Sequence, residues 1–175
     1  HCMAADMKLK GHTVKMFEFP EFKHNMQRVF DTQTVIAKGA IPNAVNGVAK
    51  LDLVTDDIDA AVSDAEIILL VCPAFAHEHY AEALKGHVNK DQIIVTFPGA
   101  FAALVIKHVF GDAECPALAD ANNLPYDARI LEPGVVTCFG RTDMNIAYFP
   151  ATAKEKWHDI LLDALFPFQR VYESV

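Results

Sequence analysis

Two short, unbroken apolar runs in the middle of the chain constrain its fold more than any other feature. Ile67-Ile68-Leu69-Leu70-Val71 leads into Cys72-Pro73-Ala74-Phe75-Ala76-His77, and Ile93-Ile94-Val95-Thr96-Phe97 leads into Pro98-Gly99-Ala100-Phe101. Apolar segments of strand length without polar alternation belong in a sheet covered by helices on both faces. Each run ends in proline or small residues, and a helical stretch follows each. The expected sheet is an open α/β sheet, whose ligand crevice lies beyond the carboxyl ends of its strands. Two such units in succession predict the wall of a nucleotide-cofactor site.

The flanking sequence supplies further elements of the same kind. His1 to Lys10 reads as the body of a helix, with Met3, Met7 and Leu9 as candidates for its apolar face, Lys8 and Lys10 in the last turn and Gly11 at the left-handed stop. A helix without a preceding cap implies a true N-terminus upstream, so the chain reads as a fragment. Thr13 to Phe19 is a strand, followed by a turn at Pro20 and a short helix over 21–30. Strands over 34–38 and 48–54 flank a turn containing Pro42-Asn43 and Asn46-Gly47. Asp56, Asp57 and Asp59 place acids in the first turn of a helix reaching Ser63. A strand over 116–120 runs into Asn122-Asn123-Leu124-Pro125-Tyr126. Val135 to Phe139 and Asn145 to Phe149 read as a late β-hairpin. Trp157, Ile160, Leu161, Ala164 and Leu165 mark the buried stripe of a last helix. Without repeat or linker, residues 1–175 read as one domain.

Composition enters mainly by exclusion. A formal charge of -8 argues against a nucleic-acid partner, which calls for clustered Lys and Arg. No apolar stretch is long enough to span a bilayer, and no signal peptide is visible. Cys2, Cys72, Cys115 and Cys138 are scattered, which predicts a reduced, cytoplasmic protein and no Cys-x-x-Cys metal or redox motif. His77 and His79 flank Glu78, but two positions apart on a helix they face different ways. A zinc site is therefore not expected, and a capping or surface role is. No serine sits in a nucleophile elbow, so no catalytic constellation is expected within the chain.

The candidate cofactor-binding residues are Glu18, Cys72, Pro73, Ala74, Phe75, Pro98 and Gly99. An acid ending an early strand of a Rossmann unit accepts hydrogen bonds from the ribose hydroxyls and repels a 2′-phosphate, so Glu18 favours NAD over NADP; the alternative is a solvated acid. Small side chains at 72–74 let a cofactor approach the backbone, Phe75 offers a packing surface, and Gly99 permits positive φ or close approach. Either turn alone is an ordinary βα connection. Asn122, Asn123 and Tyr126 are the candidate substrate-binding residues, because amides donate and accept and so can orient a carboxamide or carboxylate. Equally, Asn and Pro form turns. The phosphate-binding Gly-x-Gly-x-x-Gly is absent from the sequence; were it upstream of His1, the acid about 20 residues beyond it would fall near Glu18. The fold class is thus α/β: a Rossmann-type, doubly wound, mostly parallel sheet with helices on both faces, lacking its first strand and glycine-rich loop.

In order and spacing, Ala4-Ala5-Asp6-Met7 through Gly11-His12, Val14 to Glu18, Cys72 to His77, Pro98-Gly99, Leu124-Pro125-Tyr126 through Arg129, and Tyr148-Phe149-Pro150-Ala151 resemble the N-terminal domain of the opine dehydrogenases, the octopine and nopaline dehydrogenases among them. The resemblance implies an NAD(P)H-dependent oxidoreductase of amino acid metabolism that reductively condenses an amino acid with an α-keto acid such as pyruvate. It also implies a second, helical domain, beginning after Phe166-Pro167-Phe168, that carries the catalytic His–Asp pair and through which a homodimer would form. Ala128 stands where relatives often carry a cysteine near the substrate. The alternatives are a reductase of the ketopantoate or glycerol-phosphate kind and a non-catalytic nucleotide-sensing module.

Overall fold

The structure, a computed structural model, describes residues 1–111, 115–165 and 170–171. The segment around Phe166-Pro167-Phe168, where a second domain was expected to begin, lies outside the described residues. Contacts cluster in two compact units, one formed by residues 1–61 and 125–142, the other by residues 62–124 and the chain from Asp143 onward.

The first unit opens with helix α1 (Cys2–Leu9), which buries Cys2, Met3, Ala5, Asp6 and Met7. It stops as its sequence predicts. Gly11 takes φ +97°, and the His12 and Gly11 N–H groups return to the carbonyls of Met7 and Lys8, satisfying groups that the helix leaves over. Strand β1 (Lys15–Phe17) follows, then a 3-10 turn (Pro20–Met26) and α2 (Gln27–Thr32). Strand β2 (Thr34–Gly39) pairs antiparallel with β3 (Gly47–Lys50), as the turn residues between them foretold.

The strand expected over 48–54 divides instead. After Lys50 the chain leaves β2, and β4 (Leu53–Thr55) pairs parallel with β1. Asp52 makes the break. Its carboxylate accepts from the Val14 N–H at 2.8 Å and from Lys8 Nζ at 2.7 Å, which turns the backbone toward the second strand pair. Helix α3 (Ile58–Val62) is shorter than expected, with Asp57 accepting from the Ala60 N–H.

The expected hairpin of residues 135–149 does not form. Strand β9 (Val135–Arg141) pairs antiparallel with β8 (Tyr126–Glu132) and parallel with β2, giving a four-stranded sheet in the order β3-β2-β9-β8. Strand β8 is mostly exposed, so its sequence lacks the apolar alternation that would have announced it.

The second unit is built on the two apolar runs. Strands β5 (Ile67–Leu70), β6 (Ile93–Thr96) and β7 (Ala117–Ala121) lie side by side and parallel. Strand β10 (Asn145–Phe149) joins β7 antiparallel, and β11 (Arg170–Val171) joins β10. All four residues of β6 are buried, the expected state of a central strand. Helices α4 (His77–Leu84) and α5 (Ala102–Phe110) follow β5 and β6. Helix α6 (Ala153–Ala164) buries Trp157 and Leu161, with Leu165 just beyond it; Ile160, expected in that stripe, is 44% exposed. It precedes Leu161 by one residue, about 100° round the helix.

Candidate functional site

Register decides where the candidate residues of the second unit stand. Leu70 pairs with Thr96, and Thr96 with Asp120. Because the three strands are parallel, the chain leaves the sheet at one carboxyl end, after Leu70, after Thr96 and, one residue beyond that row, after Ala121. Cys72, Pro73, Ala74 and Phe75, then Pro98 and Gly99, then Asn122 and Asn123 therefore line the same edge. Open α/β sheets place their ligands at an edge of this kind.

Its surface carries exposed apolar side chains. Phe75 is 89% exposed, Phe101 68% and Val71 50%, although aromatic side chains of this size are normally well buried. Ala100 and Phe101 both hold positive φ, at 47° and 64°, a costly state for residues with a Cβ, and one that clusters at ligand sites.

Gly99 is buried and does not occupy the left-handed region. Its lack of a side chain serves a close approach: an added Cβ would lie 2.5 Å from Cβ and 2.9 Å from Cα of Asp120. Asp120 is the residue that the sequence left unnoticed. One carboxylate oxygen accepts from Thr96 Oγ1 at 2.5 Å, and both accept from the Ala103 N–H at 3.1 Å, in the first turn of α5. A carboxylate at a helix N-terminus satisfies an unpaired donor and complements the helix dipole. The signal that could have found it is an acid inside an otherwise apolar strand, Ala117 to Ala121.

His77 is also placed differently from its expected capping or surface role. It opens α4 but is only 2% exposed. Its ring bonds to the Pro98 backbone, and Nε2 has no partner among the described residues, so the bond runs from Nδ1–H to the Pro98 carbonyl. Burial pulls its pKa below the ordinary imidazole value, opposed by the nearby charge of Asp120. His77, Pro98, Gly99, Asp120 and Thr96 thus brace the candidate turns from within.

The asparagines keep only half of their expected versatility. Asn122 Oδ1 accepts from the Asn145 N–H at 2.9 Å, and Asn123 Oδ1 from the Leu124 N–H at 2.8 Å. Both residues are exposed, and their NH₂ groups remain as donors suited to an acceptor oxygen.

Glu18 and Tyr126 belong to the first unit. Glu18 follows β1 and is half-buried; its Oε1 accepts from the Phe19 N–H at 2.9 Å. Tyr126 is buried, and its hydroxyl donates to Asp6 Oδ2 at 2.5 Å. Arg141 at 2.8 Å and Lys10 at 3.0 Å surround the same carboxylate. Burial, then the bond to Asp6, pushes the Tyr126 phenol far above its usual range. The group thus stays protonated and anchors β8 to α1.

Among the described residues no three metal-ligating side chains cluster, and no helix is long and apolar enough to cross a membrane. The candidate site is the carboxyl edge of a Rossmann-like α/β sheet. No protein-family model matches the chain. Among curated proteins it is similar to an opine dehydrogenase of Arthrobacter sp. (strain 1C), 29% identical over 179 residues, covering all of this chain and 48% of that one. A tauropine dehydrogenase of Arabella iricolor is 38% identical over 88 residues, 49% of this chain and 22% of the relative. The structure of octopine dehydrogenase with NADH and pyruvate superposes with TM-score 0.74 at 22% identity, covering 99% of this chain and 46% of that one. A ketopantoate reductase of Ralstonia eutropha gives TM-score 0.72 at 18% identity, covering 99% and 53%. The resemblance to opine dehydrogenases drawn from the sequence is thus found again, and the Rossmann-like α/β class holds. The chain spans about half the length, or less, of the relatives it matches.

Proposed function

We propose that this chain is the cofactor-binding part of an NAD(P)-dependent oxidoreductase of opine dehydrogenase type, acting on a CH–NH bond. The observation that carries the reading is the in-register row Leu70, Thr96 and Asp120, beyond which the three candidate turns leave at one edge. The residues fit a nicotinamide dinucleotide. Phe75, Phe101 and Val71 offer apolar surface, the Asn122 and Asn123 NH₂ groups suit a carboxamide or substrate carboxylate, and Glu18 suits the ribose hydroxyls. The bound cofactor would supply hydride to the carbon of an imine formed, with loss of water, from an amino acid and an α-keto acid such as pyruvate. This chain's residues hold and orient; proton transfer is assigned to residues outside it, and no side chain here is given a catalytic role. Glu18 favours NAD over NADP by accepting from both hydroxyls and repelling a 2′-phosphate.

Calorimetry of the full-length protein with NADH and NADPH tests the cofactor, and tighter NADPH binding would overturn the role of Glu18. NADH oxidation that requires amino acid and keto acid together supports the condensation. Oxidation with keto acid alone would favour a ketopantoate-reductase-like activity, and no binding of either nucleotide would favour a partner-binding module. The chain on its own is expected to show no turnover, so measurable hydride transfer by it would refute this division of labour.

A further inference from the structure

Cys2 opens α1, Cys138 lies in β9, and both belong to the first unit. Their Sγ atoms are 2.7 Å apart, both thiols are free, and both are buried, Cys2 at 6% exposure and Cys138 at 0%. That separation is only about 0.7 Å beyond the roughly 2.05 Å of a covalent S–S bond. The pairing is held from outside the thiols. Asp6, one turn along α1 from Cys2, is bound at 2.8 Å by Arg141 of β9, which fixes helix against strand. Burial raises both thiols above the ordinary range, so neither reacts rapidly with reagents from outside. What the geometry leaves to each is the other.

We propose that Cys2 and Cys138 form an oxidation site, at which an oxidant of the hydroperoxide class converts the pair into a disulfide stapling α1 to β9. Cys2, which keeps the residual exposure, loses its proton, and its sulfur cleaves the peroxide O–O bond to give a sulfenic acid and, with hydrogen peroxide, one water. The Cys138 sulfur then attacks that sulfur; the S–O bond breaks, and the oxygen leaves as a second water with the Cys138 proton. The two thiols lose two electrons in all and the peroxide gains them. Raised thiol pKa values make the reaction slow, and burial protects the product from reduction.

The test is hydrogen peroxide titration of the full-length protein, followed by denaturation, alkylation, digestion and mass spectrometry against a dithiothreitol-reduced reference. The expected result is a Cys2–Cys138 cross-linked peptide lighter by two hydrogens and restored by dithiothreitol, with a thermal midpoint several degrees above that of the reduced protein. Cys138→Ser should abolish both changes. Because a buried serine can itself impair folding, the double variant Cys72→Ser/Cys115→Ser, which keeps the pair, carries the test equally and should still form the link. Cys2 and Cys138 recovered as free, alkylated thiols after Cys72 and Cys115 have been oxidised would overturn the proposal, as would linkage of either to another cysteine.

Discussion

Replacing Gly99 with alanine asks what the glycine is for. The new Cβ would be placed 2.5 Å from Asp120 Cβ, 2.7 Å from Cγ and 2.9 Å from Cα. Asp120 cannot retreat, because β7 is held by β6 on one side and β10 on the other. The Gly99 N–H is itself tied to the Ala121 carbonyl at 2.6 Å, so the clash must displace the carboxylate or the turn. Overpacking of this kind costs about 1–3 kcal/mol. Weakening the charged bonds from Thr96 and the Ala103 N–H adds about 1.5–3 kcal/mol. A loss of about 2.5–6 kcal/mol follows from these two contributions. The assay is urea unfolding of the protein without any nucleotide, comparing midpoints at unchanged slope. A variant within about 0.5 kcal/mol of the parent that had nevertheless lost cofactor affinity would refute the reasoning. It would mean that Gly99 is small for the cofactor and not for Asp120.

Tyr126→Phe removes the donor to Asp6 inside a buried charged cluster and should cost about 1–3 kcal/mol of stability, read from the same unfolding curves. If Tyr126 instead binds substrate, KM rises while the unfolding midpoint stays put. Glu18→Gln should weaken NADH binding by about 1.5–3 kcal/mol, tenfold or more in Kd, while NADPH is affected less; calorimetry with both nucleotides separates the two. His77 has a folded-state pKa below its ordinary 6.5. The unfolded chain therefore takes up a proton first as pH falls. Stability is full above about 6.5 and declines from there until the lower folded value is reached. Denaturation midpoints measured from neutral to acid pH should show this decline in the parent and a flatter profile in His77→Asn. An unchanged acid limb in the variant would exclude His77 as its source.

The carboxyl edge of β5 and β6 was legible because both strands are unbroken apolar runs, β6 being buried on both faces, and because Pro73, Pro98 and Gly99 punctuate their ends. The stop of α1 at Gly11 and the turn between β2 and β3 were legible for a similar local reason: each depends on backbone preferences within a few residues. The split of residues 48–54 was not, since the break at Asp52 depends on Lys8 and on the Val14 N–H, far away in sequence. The hairpin expected of residues 135–149 failed because both strands were recognised correctly while their partners were not local: Val136 pairs with Ala37, and Tyr148 with Ala119. Local pattern reports which segments are strands; it carries little about strand order.

The sequence by itself therefore determined the strand–turn–helix units, their apolar cores and the small residues at their ends, all properties of neighbouring side chains. Only the tertiary structure decided that the three turns leave at one edge, that Gly99 is small because Asp120 lies against it, and that Tyr126 faces Asp6. It alone also buried His77 beneath Pro98 and brought Cys2 to Cys138. Those outcomes depend on burial and on contacts between residues remote in the chain. Close packing fixes such contacts, and no short window of sequence contains them.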